Sequence, residues 1–347
     1  MKTFSIGTHE IGGEAPPLIV AEVGFNHNGD AGLAKQMAAA AAECGCDAVK
    51  FQAFHGPELF APGFTEKKPD GSEWRPAEFY ARYELSEEAY AEISRLCADR
   101  RILFLCTPFD LNAVAMLERL NVPAYKIASG DLTYERLIRA CAATARPIIL
   151  STGMGTLSDV EAAVRFCEAE GNHEIVLLHC TASYPCKAQD VHLRAMGVLR
   201  EAFGYPVGLS DHTVDAAAAI GAAALGAVMI EKHFTTDRRL PGFDQEMSVD
   251  PPAMRELVAG CRAVHAALGE PRKAPRDSEL RMAFFGRRSL VYGADLPAGT
   301  VLSAEHLGAK RPAIGIPAQH GSLVLGHRLR CDVKADAFVR WSELDGE

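Results

Sequence analysis

The sequence predicts an α/β protein, a (β/α)8 TIM barrel followed by a small β-rich domain. Three observations predict it. Short apolar runs alternate with helix-spaced stretches about eight times in roughly 250 residues, the rhythm of a closed barrel. No G-x-G-x-x-G follows the first run, so an open dinucleotide-binding sheet has no support. Beyond Gly269 the chain turns charged and Pro-bearing, then breaks into short strand and turn patterns.

The apolar runs span 18–24 (LIVAEVG), 47–54 (DAVKFQAF), 102–109 (ILFLCTPF), 124–130 (AYKIASG), 147–153 (PIILSTG), 174–181 (EIVLLHCT), 206–211 (PVGLSD) and 227–234 (AVMIEKHF). Continuous β-branched runs bounded by Gly, Pro or Asp are strands buried on both faces, as in a parallel sheet. Between them, 31–43, 87–100, 159–170 and 193–203 carry helical spacing. Thr156 offers an N-cap to one of these helices and Gly171 follows its end. The polar and aromatic insertion 55–85 follows the second strand, on the face where barrel active sites lie. It reads as an active-site loop, with a plain surface excursion as the alternative. The organisation predicted is a catalytic barrel over 1–268, a linker over 269–283 (GEPRKAPRDSE and beyond) and a β-rich domain over 284–347.

With 347 residues, 48% of them hydrophobic, the chain can build a full core for both domains. A net charge of −9 argues against nucleic acid or an anionic membrane as the main partner, and leaves an anionic small molecule open. No run of about 18 apolar residues lacks charges, so no spanning helix is expected. The N-terminus, MKTFSIGTHEIGGEAPP, has no apolar core of a secretory signal. The ten cysteines stand singly, and Cys44 with Cys46 has no second pair at zinc-site spacing. They read as reduced, buried thiols of a cytoplasmic protein.

Polar residues at the ends of barrel strands line one mouth. Reading only strand ends gives Glu22, Lys50 with Gln52, Thr107, Lys126 with Ser129, Ser151, His179 with Tyr184, Ser210 with His212, and Glu231 with His233. Any one of them alone is an ordinary surface residue; their convergence from every strand points to catalysis. Two lysines with several hydroxyls suit a ligand carrying phosphate and carboxylate. His212 and His233 end adjacent strands and form a candidate site for a divalent metal held through neutral imidazoles. Mn²⁺ fits this set better than structural Zn²⁺, with Mg²⁺ or Co²⁺ as alternatives; each histidine taken singly reads as a satisfied barrel residue.

The segments AEVGFNHNGD, VKFQ, CTPFD, YKIASGD, LSTGM, LLHCTASYP, GLSDHT and IEKHF resemble, in order, those of the sialic acid synthase family. The tail from RRSLVYGADLPAGTVL to KRPAIGI is similar to that family's antifreeze-like (SAF) domain. The resemblance implies condensation of phosphoenolpyruvate with an N-acetylated amino-sugar aldehyde to a nonulosonic acid. It implies that Lys50, Thr107, Lys126, Ser129, Ser151 and Ser210 hold phosphoenolpyruvate, with Tyr184 beside them. His212 and His233 would hold Mn²⁺, while Glu22, Gln52 and Asp244 face the sugar. A domain-swapped homodimer would bring Arg311 of a second chain to the N-acetyl group.

Three departures from the family pattern stand out. Ser183 replaces a usual Asn, so a phosphate contact there is shortened or lost. Asp131 replaces a usual Glu. GFDQEMS (242–248) stands where GPDHKAS is usual, placing Gln245 and Glu246 near the sugar and leaving the acceptor open between N-acetylmannosamine, a diacetamido-trideoxyhexose and rarer sugars. The mechanism implied joins C3 of phosphoenolpyruvate to the aldehyde carbon, with the metal polarising the aldehyde oxygen. Water then adds at C2 with Glu22 or Glu231 handling its proton, and phosphate leaves by C–O cleavage. The rival readings are a Schiff-base aldolase using Lys50 or Lys126 on a keto acid, and a non-enzymatic carbohydrate- or ice-binding protein.

Overall fold

The computed structural model describes residues 2–68 and 71–346. The chain divides into two compact units, residues 1–269 and 270–347. The first opens with an antiparallel hairpin, β1 (Phe4–Ile6) and β2 (His9–Ile11). Eight parallel strands then close a barrel: β3 (Leu18–Glu22), β4 (Ala48–Ala53), β7 (Leu103–Pro108), β8 (Tyr125–Ile127), β9 (Ile148–Ser151), β10 (Ile175–Cys180), β11 (Val207–Asp211) and β12 (Met229–His233). The helices on its outside are α1 (Ala31–Glu43), α4 (Glu87–Arg100), α5 (Leu111–Arg119), α6 (Glu135–Ala142), α7 (Leu157–Ala169), α8 (Ala195–Phe203), α9 (Ala217–Ala224) and α10 (Pro251–Leu268).

Helix starts follow capping chemistry. Asp30, Ser86, Asp110 and Asp250 accept from the orphan amides of α1, α4, α5 and α10. Thr156 forms a full capping box with Asp159 at α7, and Gly171 turns the chain away just after that helix with φ of +76°.

Strand side chains alternate between two cores. Outward residues such as Ile19, Val49, Phe51 and Ile230 pack against Met37, Ile93, Leu137 and Met254 of the helices. Inward residues Leu18, Val20, Ala48, Leu105, Ile149, Val176 and Leu178 fill the barrel floor. Ile6 and Ile11 of the opening hairpin join that floor, fully buried. The hairpin was not predicted: three-residue strands leave too little periodicity to read.

The insertion at 55–85 is folded rather than a plain excursion. It carries α2 (Gly56–Leu59), a small hairpin of β5 (Glu66–Lys67) with β6 (Glu73–Trp74), and α3 (Pro76–Ala81). In the second unit, α11 (Leu280–Gly286) occupies the end of the expected linker, so the irregular stretch is shorter than 269–283. β13 (Ser289–Tyr292) pairs with β14 (Leu307–Lys310), and α12 (Gly321–Val324) follows. Leu290, Tyr292, Val324, Leu329 and Val339 form a separate core there. No helix among the described residues is long and apolar enough to cross a membrane.

Candidate active site

Alternation decides which strand residues reach the barrel mouth. On β4, Lys50 and Gln52 follow inward Ala48; on β12, Glu231 and His233 point inward; on β11, Ser210 does so, followed by His212. A cavity of 340 Å³ opens there, and the predicted residues line it except His179, Ser183, Gln245, Glu246 and Arg311. Ser183 is exposed, its hydroxyl donating to Pro185 O at 3.4 Å. Arg311 lies in the second unit, exposed and without a hydrogen bond or ion pair among the described residues.

Four buried charges form the floor. Lys50 Nζ lies 2.5 Å from Glu22 Oε2 and 3.8 Å from Glu231 Oε2, and donates to Thr107 Oγ1 at 3.1 Å. Lys126 Nζ is 3.8 Å from Glu231 Oε1. Gln52 Nε2 donates to Glu22 Oε1 at 2.7 Å, and Ser210 Oγ donates to Glu231 Oε1 at 3.0 Å. Burial and the charge of Glu231 push the Glu22 carboxyl up, against the pull of Lys50. Glu231 is held down despite burial, because Lys126 and Lys50 both face it. The surroundings thus push the two carboxyls in opposite directions, Glu22 up and Glu231 down. Burial lowers Lys126, and neighbouring Lys50 adds to the effect, whereas the two carboxylates keep Lys50 firmly charged despite its burial. Ser151 Oγ is buried without a protein partner, a donor left free for a ligand.

The two histidines stand with ring centroids 5.4 Å apart, and the Tyr184 ring lies 4.2 Å from His212. His212 Nδ1 donates to Thr181 O at 2.8 Å, which leaves Nε2 with its lone pair. Burial opposes protonation of His212, but the hydrogen bonds and charge of Cys180, Thr181 and Glu231 outweigh it. Surroundings that favour a proton there also favour a metal cation. Burial and then the neighbouring positive groups hold His233 well below its usual range, so it is neutral, and its Nδ1 is buried without a hydrogen-bond partner. The two imidazoles therefore fit a divalent ion. Among the described residues no group of three or more His, Cys, Asp or Glu is placed to hold one; an ion here would have the two imidazoles and would need water or substrate to complete its shell.

Asp244 closes one side. Its Oδ2 accepts from Phe25 N at 3.1 Å and lies 3.7 Å from His233 Nδ1; burial raises its carboxyl to about 6. The chain passes so close that a Cβ on Gly24, at φ of +52°, would sit 2.6 Å from that oxygen. The far wall is aromatic: Phe25 meets Tyr80 at 5.0 Å, Tyr83 at 5.1 Å and Phe243 at 6.2 Å between ring centres. Tyr80 comes from the insertion, which therefore contributes to the cavity as expected.

Some placements differ from the sequence reading. His179 faces outward and bonds Val191 O at 2.5 Å, a satisfied structural histidine, while its neighbour Cys180 lines the cavity. Counting alternate residues back from Leu178 would have found this. Gln245 does not reach the cavity either. It is 1% exposed, accepting from Thr235 Oγ1 at 2.5 Å and donating to Asn26 O at 2.9 Å. The outward face of β12 carries an unexpected pair: Lys232 donates to Asp211 Oδ2 at 2.7 Å, both side chains buried beneath the helices.

Comparison with known proteins gives the family. The NeuB family profile matches residues 37–273 and the SAF domain profile residues 287–345. The chain is 38% identical over 338 residues to N,N'-diacetyllegionaminic acid synthase of Legionella pneumophila, covering 94% of each chain. It is 33% identical over 338 residues to N-acetylneuraminate-9-phosphate synthase of Homo sapiens, covering 95% of this chain and 93% of that one. The crystal structure of N-acetylneuraminic acid (sialic acid) synthetase from Leptospira borgpetersenii matches with a TM-score of 0.74 at 33% identity, over 81% of this chain and 95% of that one. The chain belongs to the NeuB family and carries a SAF domain at its C-terminal end.

Proposed function

We propose that this enzyme is a nonulosonic acid synthase. It condenses phosphoenolpyruvate with the aldehyde of an N-acylated amino sugar, adds water and releases inorganic phosphate. The observation that carries this reading is the buried Lys50–Glu22–Glu231–Lys126 constellation, ringed by Thr107, Ser129, Ser151 and Ser210 in one cavity. The lysines and hydroxyls bind the phosphate and carboxylate of phosphoenolpyruvate. Its C2=C3 electron pair forms the new bond from C3 to the aldehyde carbon, leaving positive charge at C2 beside ionised Glu231. Water adds at C2 and gives one proton to Glu22, whose carboxyl burial pushes up toward holding it. The C2–O bond then breaks, its electrons leaving with phosphate, while the C2 hydroxyl gives up its proton to become the ketone. The former aldehyde oxygen, which took the C=O electron pair, gains a proton to become a hydroxyl.

A divalent ion held by His212 and His233, Mn²⁺ on its donor set, would supply Lewis acidity at the aldehyde oxygen. Asp244 and Gln52 orient the sugar. Arg311, unpaired and exposed, reaches the N-acyl group from the second subunit of a domain-swapped homodimer. α11 supports such an assembly, since its Leu280, Met282, Phe284 and Phe285 are between 45% and 68% exposed. Nine buried, unbonded cysteines suit a reducing cytoplasm.

The test is a mass-spectrometric screen of amino sugars with phosphoenolpyruvate, run in H₂¹⁸O. Sugar-dependent phosphate release with ¹⁸O in the keto acid, and none in phosphate, is expected. Label in phosphate, or release independent of sugar, would overturn the reading. Borohydride separates the aldolase alternative: covalent trapping of substrate on Lys50 or Lys126 would favour it.

A further inference from the structure

A second depression adjoins the catalytic cavity. It measures 300 Å³ and is lined by Tyr184, Pro185, Phe243, Asp244, Glu246 and Met247. Tyr184, Phe243 and Asp244 line both spaces, so the depression continues the cavity past the sugar-facing Asp244. Its surfaces are an aromatic ring 65% exposed (Phe243), a second 55% exposed (Tyr184), a proline and a thioether. Its charges are two carboxylates, and no lysine or arginine lines it. Glu246 is exposed, and its carboxylate makes no ion pair among the described residues. Arg238 spends one N–H on the main-chain oxygen of Glu246 and does not line the depression.

Resting on the proposed synthase reading, we infer that this depression receives the end of the acceptor sugar remote from its aldehyde. It selects an uncharged end with an apolar group, and Glu246 is the residue that excludes a phosphorylated one. A phosphate entering here would lose water while facing carboxylates with no lining cation to pair it. A methyl or acyl group would instead cover the Phe243 and Met247 surfaces. Sites of this kind discriminate most strongly where a wrong ligand brings charge into an unmatched environment.

The experiment measures kcat/KM, with saturating phosphoenolpyruvate, for N-acetylmannosamine, its 6-phosphate and its 6-deoxy analogue. The wild type should use the 6-phosphate at least about tenfold less well than the neutral sugars, and the 6-deoxy sugar best. Glu246→Lys should shift the ratio of phosphorylated to neutral acceptor by about tenfold or more, through KM, and added salt should shrink that shift. Glu246→Gln should fall between. Phe243→Ala should erase the preference for the 6-deoxy sugar. Turnover of the 6-deoxy sugar alone would also support the assignment. Equal use of the 6-phosphate by the wild type, or a ratio indifferent to Glu246→Lys, would overturn it while leaving the synthase reading intact. Failure of every amino sugar to drive phosphate release would remove both.

Discussion

Lys50 and Glu22 face each other across neighbouring strands β4 and β3, Nζ 2.5 Å from Oε2, with 3% and 1% of their side chains exposed. Such a pair is balanced only while both members remain, since removing one leaves a buried charge without its counter-ion. Lys50→Met should therefore lower both stability and turnover, and Glu22→Gln added to it should restore part of the stability without restoring activity. Chemical denaturation of the single and double variants checks the first statement, phosphate release the second.

Lys50 and Lys126 are assigned to phosphoenolpyruvate, common to every acceptor. Replacing either by Met should cost about 1.5–3 kcal/mol of transition-state binding, roughly 10- to 150-fold in kcat/KM. The loss should be the same whichever sugar is supplied. A loss restricted to one sugar would move that lysine to the acceptor side.

If His212 and His233 hold the proposed divalent ion, chelation should abolish activity and Mn²⁺ should restore it. His212→Ala and His233→Ala should each lose several orders of magnitude of activity while retaining the wild-type circular dichroism spectrum. Near-normal rates in both metal-free variants would refute the assignment.

Asp131 Oδ2 is buried without a hydrogen-bond partner, and burial lifts its carboxyl to about 6. The folded protein thus binds this proton more tightly than the unfolded chain does. The resulting stabilisation is complete below about pH 4 and is lost as pH rises through 6. Asp131→Asn should match the wild type near pH 4 and exceed it at pH 8 by roughly 2–3 kcal/mol at most. Urea midpoints at the two pH values test this; an equal difference at both would show that the carboxyl is not the source.

If Arg311 acts in trans, two nearly inactive variants should complement. His212→Ala and Arg311→Ala, unfolded and refolded together, form mixed dimers in which one site carries both lesions and the other none. Random pairing makes half the dimers mixed, so about a quarter of wild-type activity should return. Mixed dimers without activity would mean that each SAF domain serves its own chain.

The barrel was legible because its strands are buried on both faces, so their apolar runs stand out between capped helices such as α7. The catalytic floor was legible for the same reason: Lys50, Lys126 and Glu231 are charges inside apolar runs, where only function or pairing keeps them. What escaped depends on contacts between distant segments. Nothing near Gln245 in sequence announces that it is buried between Thr235 and Asn26. The aromatic wall joins Phe25 and Phe243 from two loops with Tyr80 from α3. His179 misled because a strand end was read without its parity, which the inward Leu178 already determines.

Parity also gives the Lys232–Asp211 pair a meaning beyond its own strength. On β12 the order Glu231-Lys232-His233 alternates cavity, helix side, cavity. Sliding this strand by one residue would turn Lys232 into the mouth and drive Glu231 and His233 under the helices, each stripped of partners. Lys232 would also lose Asp211 and the carbonyls of Thr213 and Asp215, which it reaches at 2.7, 2.6 and 2.8 Å. The pair penalises every odd-residue slip of β12 against β11 and so favours the register that keeps Glu231 and His233 in the cavity. Lys232→Met should accordingly yield, beside active enzyme, a compact and helical but inactive fraction, carrying its error in the alignment of one strand.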